Sequence, residues 1–171
     1  MSLRRTLLAS LLPLAAAILT PAQAQQPSAP QVDTQQFQSW EVRCPKGGER
    51  QSCVMSQVVN NPDSNDPLMR AMVGHPAQAD GPVMVFLLPL GVRLAPGIQL
   101  QVDDNEPVGM PYQVCLQQGC RANLALSPQL LTQLRGGTKA TVSAIAPDGK
   151  RLDMDLSLMG FTSASQRIAS Q

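Results

Sequence analysis

Lys139-Ala-Thr-Val-Ser-Ala-Ile-Ala146, Pro147-Asp148-Gly149-Lys150 and Arg151-Leu-Asp-Met-Asp-Leu-Ser-Leu158 form the stretch that decides the fold. Leu152, Met154, Leu156 and Leu158 alternate with Asp153, Asp155 and Ser157. A period of two places one side of a strand on a core and the other in water. Pro-Asp-Gly between two such runs is turn chemistry, since Pro presets φ, Asp bonds the local backbone and Gly accepts positive φ. The spacing predicts an antiparallel hairpin over residues 139–158.

The same period recurs upstream. Trp40, Val42 and Cys44 alternate with Glu41 and Arg43, and Cys53 to Val59 reads as the partner strand. Ile98-Gln-Leu-Gln-Val102 alternates strictly, and Tyr112–Cys115 and Cys120–Leu126 flank a turn at Gly119. Val83-Met-Val-Phe86-Leu-Leu88 is apolar throughout and stops at Pro89, the pattern of a central strand covered on both faces. Leu68 to Gly74 suits either a strand or a short helix and is read as a strand. It lies between the turn formers Asn60 to Pro67 and a loop from His75 to Pro82. One helix is expected after Ser127, a good N-cap, with Pro128 at its first position and Gly136 and Gly137 as its stop. Its Leu130, Leu131 and Leu134 would cover an open end. Seven to nine short strands and one short helix predict an all-β antiparallel β-sandwich. Trp40, Phe86 and Phe161 are expected in its core.

The chain has 171 residues, and the first 24 read as a targeting segment. Arg4 and Arg5 precede the apolar run Thr6 to Leu19, and Ala22-Gln-Ala24 supplies small residues at cleavage spacing. The run falls short of the roughly 20 residues a spanning helix needs, so cleavage and export are expected, with no integral membrane segment remaining. Residues 25–36, rich in Gln, Pro and Ser, read as a flexible tether. Residues 37–161 would then be a single domain and 162–171 a polar tail. Loss of Arg4 and Arg5 takes the formal charge from +1 to −1, because every acidic residue lies beyond the leader. A near-neutral chain with 15 % charged residues has no basic field for nucleic acid.

Four cysteines, Cys44, Cys53, Cys115 and Cys120, read as two disulfides in an exported protein. Of three possible pairings, Cys44–Cys53 and Cys115–Cys120 are favoured because each pair brackets a turn-rich segment. The spacing fits zinc knuckles poorly.

Catalytic chemistry finds little to work with. His75 is the single histidine, and it precedes Pro76 in an expected surface loop. No Ser sits in a G-x-S-x-G turn, and no Lys follows a Ser by three residues. Asp103, Asp104, Asn105 and Glu106 lack the Gly and distal Glu of a calcium loop, and Asp103 is read as a cap on local backbone N–H groups. Met69, Met72 and His75 are the alternative worth naming. On a helix, spacing of three would gather these soft ligands for copper, whereas on a strand the methionines face opposite ways and serve as packing.

Taken in order, the motifs are Phe37-x-x-Trp40-x-Val-x-Cys44, Cys53, Leu88-Pro-Leu-Gly91-Val92-x-Leu94-x-x-Gly97-x-x-Leu100-x-Val-Asp103, Cys115-x-x-x-Gly119-Cys120 and Ser157-Leu158-x-Gly160-Phe161. In this order the chain resembles the invasion-associated locus B family of exported proteins from Gram-negative bacteria. The resemblance implies an immunoglobulin-like β-sandwich in the periplasm or at the cell surface, working by protein contact, with some members linked to invasion of host cells. It implies no catalytic residue and no cofactor. The expected partner is a protein in the envelope or on a host surface, met through the segment 60–82 and the Gly91–Gly97 turn.

Mass mapping of the exported protein tests this reading. A mature chain starting at Gln25, with cystines 44–53 and 115–120, is the expected result.

Overall fold

Hydrophobic alternation in this chain builds two antiparallel sheets packed face to face. The computed structural model describes residues 31–46 and 53–169. The larger sheet contains β1 (Val32–Phe37), β2 (Trp40–Pro45), β3 (Val54–Asn60), β4 (Pro67–Gly74), β5 (Val83–Leu88), β8 (Tyr112–Leu116) and β9 (Gly119–Ala125), in the spatial order β1-β2-β3-β4-β5-β9-β8. The smaller contains β6 (Ile98–Val102), β7 (Val108–Met110), β10 (Lys139–Ile145) and β11 (Arg151–Ser157), ordered β11-β10-β6-β7. All pairings within both sheets are antiparallel. The fold is an immunoglobulin-like antiparallel β-sandwich with two local disulfides, and it carries two helices, α1 (Pro128–Gly136) and α2 (Phe161–Ala169), where one was expected.

The 139–158 hairpin forms in full register from Lys139–Ser157 to Ile145–Arg151. Its buried side chains, Met154 and Leu156 with Val142 and Ala144, lie beside Ile98 and Leu100 of β6 in the same sheet, and together they face the inner side of the large sheet. From that sheet come Trp40, Val42, Met55, Met69, Ala71, Val73, Met84 and Phe86, and Trp40, Phe86 and Phe161 are all fully buried. Helix α1 starts as its sequence dictates. The Ser127 hydroxyl accepts from the Leu130 N–H at 3.2 Å, and Leu130 and Leu134 are buried.

Three expectations need correction. Residues 162–171 are not simply a polar tail, because α2 runs to Ala169 with Phe161, Ala164, Ser165 and Ile168 buried. That is i, i+3, i+4, i+7 spacing, one face of a helix, written largely in small residues that carry little hydrophobic signal. The expected tether 25–36 contains most of β1. Its side chains stay largely exposed, so burial does not order it. Its backbone instead pairs with β2 over six positions, and Arg167 of α2 reaches Gln35 at 3.3 Å and Asp33 at 3.9 Å. The third correction concerns β5. It is internal to the sheet as expected, but only Met84, Phe86 and Leu88 face the core, while Val83, Val85 and Leu87 stay half-buried on the outer side.

The closing Gly160-Phe161 pair has a steric cause. Gly160 has φ +88°, and a Cβ there would lie 2.1 Å from the Phe37 carbonyl oxygen. That close approach lets the chain leave β11 and drop the Phe161 ring onto Trp40, with ring centroids 5.2 Å apart in a T-shaped contact.

Phe161→Ala removes one half of that contact and opens a cavity under α2. Urea unfolding is expected to show a loss of about 3–5 kcal/mol, with both disulfides retained.

Candidate functional site

Cys44 pairs with Cys53 and Cys115 with Cys120, leaving no free cysteine. The first bridge joins β2 to β3 and the second joins the directly opposed residues of β8 and β9. Both loops are short, so each staple stabilises locally. With all four sulfurs bonded, no thiol is left as a nucleophile or metal ligand.

Met69 and Met72 lie in β4, with His75 just past its end, and alternation separates the methionines. Met69 is buried in the core, while Met72 and His75 line a depression on the outer face with Val54 and Val83. The copper alternative required all three on one side, and the strand rules that arrangement out. Among the described residues no group of three or more His, Cys, Asp or Glu side chains is placed to hold a metal. Among the described residues no carboxylate forms an ion pair or hydrogen bond with His75.

Asp103 does hold backbone N–H groups, but not those of its own turn. With φ +45°, its carboxylate accepts from Lys139 N at 3.0 Å and from Thr138 N at 3.2 Å, tying the end of β6 to the start of β10. On the outer face of the small sheet, the Ser143 hydroxyl donates to Asp153 at 2.6 Å. Arg151 bonds both, at 2.6 Å to Asp153 and 2.8 Å to Ser143. The Ser143 hydrogen bond, then Arg151, holds the Asp153 carboxyl below its ordinary range. No histidine lies in this cluster, so it anchors the hairpin rather than activating a nucleophile. On the edge strand β8, burial pushes the Tyr112 phenol up.

The 60–82 segment is loop only at its ends, because β4 occupies its middle and sits inside the large sheet. The connection from β5 to β6 is an exposed feature. Leu90 is 58 % and Leu94 52 % exposed, and Arg93 fixes the loop by donating to the Pro147 carbonyl at 3.0 Å and, through its backbone, to the Ile145 carbonyl at 2.8 Å. Arg93 thereby ties this loop, with its exposed Leu90 and Leu94, to the Pro-Asp-Gly hairpin.

Residues 40–169 match the model of the invasion associated locus B (IalB) protein family. The chain belongs to this family. Invasion protein B homologs from two strains of Brucella abortus, 2308 and biovar 1 strain 9-941, are 30 % identical over 136 residues, covering 77 % of this chain and 76 % of each relative. The crystal structure of invasion associated protein B from Bartonella henselae superposes with a TM-score of 0.70 at 20 % identity, covering 80 % of this chain and 96 % of that one. The family match ends at Ala169, the last residue of α2, so the second helix is part of the family's domain. No helix among the described residues is long and apolar enough to cross a membrane.

A depressed carboxyl pKa stabilises the fold above the ordinary carboxylate range, and that contribution is lost as pH falls through the folded value. Asp153→Asn is therefore expected to be less stable than the parent at pH 7. Below about pH 4 the difference is expected to shrink, as read from urea midpoints across pH 2–7.

Proposed function

We propose that this chain is an exported, non-enzymatic interaction module of the cell envelope that works by contact with a protein partner. The family match carries this reading, since it links the chain to proteins named for invasion. The chemistry agrees with it: paired cysteines suit an oxidising compartment, and the described ionisable groups include no nucleophile with an oriented base. A rigid sandwich presents loops and faces at little entropic cost on binding. Leu90 and Leu94, exposed on a loop anchored by Arg93, have the apolar character of a contact point.

In this reading the leader is removed after Ala24, and the protein resides in the periplasm or on the surface. Its contact with a partner contributes to invasion of host cells.

A photo-crosslinking residue at position 94, introduced into the exported chain in intact cells, is expected to yield one dominant adduct with an envelope or host-surface protein. Leu94→Asp in a cell-invasion assay is expected to lower uptake severalfold without changing the amount exported. Absence of any adduct at positions 90 and 94, or uptake unchanged in a deletion strain, would contradict the reading.

A further inference from the structure

The outer face of the large sheet carries a second surface. Register places its outward side chains in rows across the strands. One row runs Val58, Arg70, Leu87, Arg121; the next Ser56, Met72, Val85, Asn123; the third Val54, Gly74, Val83, Ala125. The middle of this face is therefore apolar, with Val54 38 % and Val58 42 % exposed beside half-buried Met72, Val83, Val85 and Leu87. Two depressions meet at Met72, one toward His75 and Pro76 and the other toward Pro67 and Pro89. The Asn123 Oδ1 atom is buried here without a hydrogen-bond partner, an arrangement that costs stability unless a donor meets it.

Charge on this face is one-sided. Arg70 and Arg121 stand in the same row on either side of Leu87, roughly 10 Å apart by strand spacing, and neither is in a described salt bridge. Glu41, the neighbouring carboxylate on β2, is engaged by Arg43. Of the other described acidic residues, Asp103, Asp104, Glu106, Asp148, Asp153 and Asp155 belong to the small sheet and its turns, Asp63, Asp66 and Asp80 lie in the loops before and after β4, and Asp33 of β1 pairs with Arg167. The outward side chains of β3, β4, β5 and β9 in these rows thus include two cations, Arg70 and Arg121, and no carboxylate beside the apolar strip.

We infer that this face docks an acidic amphipathic helix of the partner protein. This rests on the interaction-module reading and names the chemistry of what is bound. The interior of a sheet offers no free backbone groups, so its occupant must satisfy its own, as a helix does. The row Val83, Val85, Leu87 is about 13 Å long, which matches about nine residues of helix. A helix lying along β5 sets its apolar stripe on that row and carries carboxylates on both flanks to Arg70 and Arg121. Met72 adapts to the stripe from the side. The full apolar run of β5 then has a cause: its second face is covered in the complex.

The test uses the full exported chain and two dye-labelled 18-residue helical peptides with the same leucine stripe, one flanked by Glu and one by Lys. Fluorescence anisotropy is expected to show the Glu peptide binding at least tenfold tighter. Arg70→Glu combined with Arg121→Glu, two exposed positions, is expected to reverse that preference at an unchanged melting temperature. Equal binding of both peptides, or a preference unaltered by the double reversal, would overturn the inference. So would capture by phosphatidylglycerol vesicles without peptide binding, or self-association abolished by Val85→Asp. If the parent chain gives the position-94 adduct but binds neither peptide, this face is excluded while the interaction module stands. If the parent chain gives no adduct at all, the broader reading fails first.

Discussion

The backbone N–H and C=O of Ser157 join the two sheets, and the rest of the molecule is arranged around them. Its N–H donates to Gln57 Oε1 at 2.9 Å, and its carbonyl accepts from Gln57 Nε2 at 2.9 Å and Trp40 Nε1 at 3.0 Å. Ser157 ends β11 in the small sheet, whereas Gln57 and Trp40 belong to β3 and β2 in the large one. Gln57 is only 9 % exposed, so its amide would be costly to bury without these partners. Apolar packing between sheets sets separation but tolerates sliding. Three directional bonds to the backbone of one residue fix the register between the layers.

That clamp also positions the end of the chain. Immediately after Ser157 the backbone turns at Gly160, and Phe161 lands edge-on against the same Trp40 that bonds Ser157. Helix α2 is thereby committed to the end of the sandwich. From there, Thr162 donates to the Arg135 carbonyl at the end of α1, and Arg135 donates to Ser165. The last turn reaches β1 through Arg167. The edge strand, both helices and the sheet junction therefore form one connected unit. The disulfides sit away from it, each closing a single pair of adjacent strands. This division leaves the exposed side chains of Leu90 and Leu94 and the outer face of the large sheet outside that unit.

What alternates in the sequence was legible. The 139–158 hairpin, β2, β3, β6 and α1 follow from hydrophobic period, Pro-Asp-Gly and the Ser127-Pro128 cap. Each depends on residues close in sequence, and the sulfur pairing follows for the same reason. Elements ordered from a distance were not legible. Nothing local marks Gln35 and Asp33 as a strand, because their order comes from β2 and from Arg167 far along the chain. Helix α2 hides its buried face in Ala164 and Ser165, and Gln57 reads like any polar strand residue until Ser157 is brought beside it. Of the candidate surfaces, the β5 run was visible but misassigned. A strand apolar on both sides looks the same whether its second face meets its own chain or another's.

Native-state hydrogen exchange at the Ser157 amide tests the clamp most directly. If that bond joins the sheets, this amide exchanges only by global unfolding, as slowly as the slowest amides of β10 and with the same denaturant dependence. Exchange as fast as that of the β1 edge amides, with the core still protected, would mean that the layers are not held together there.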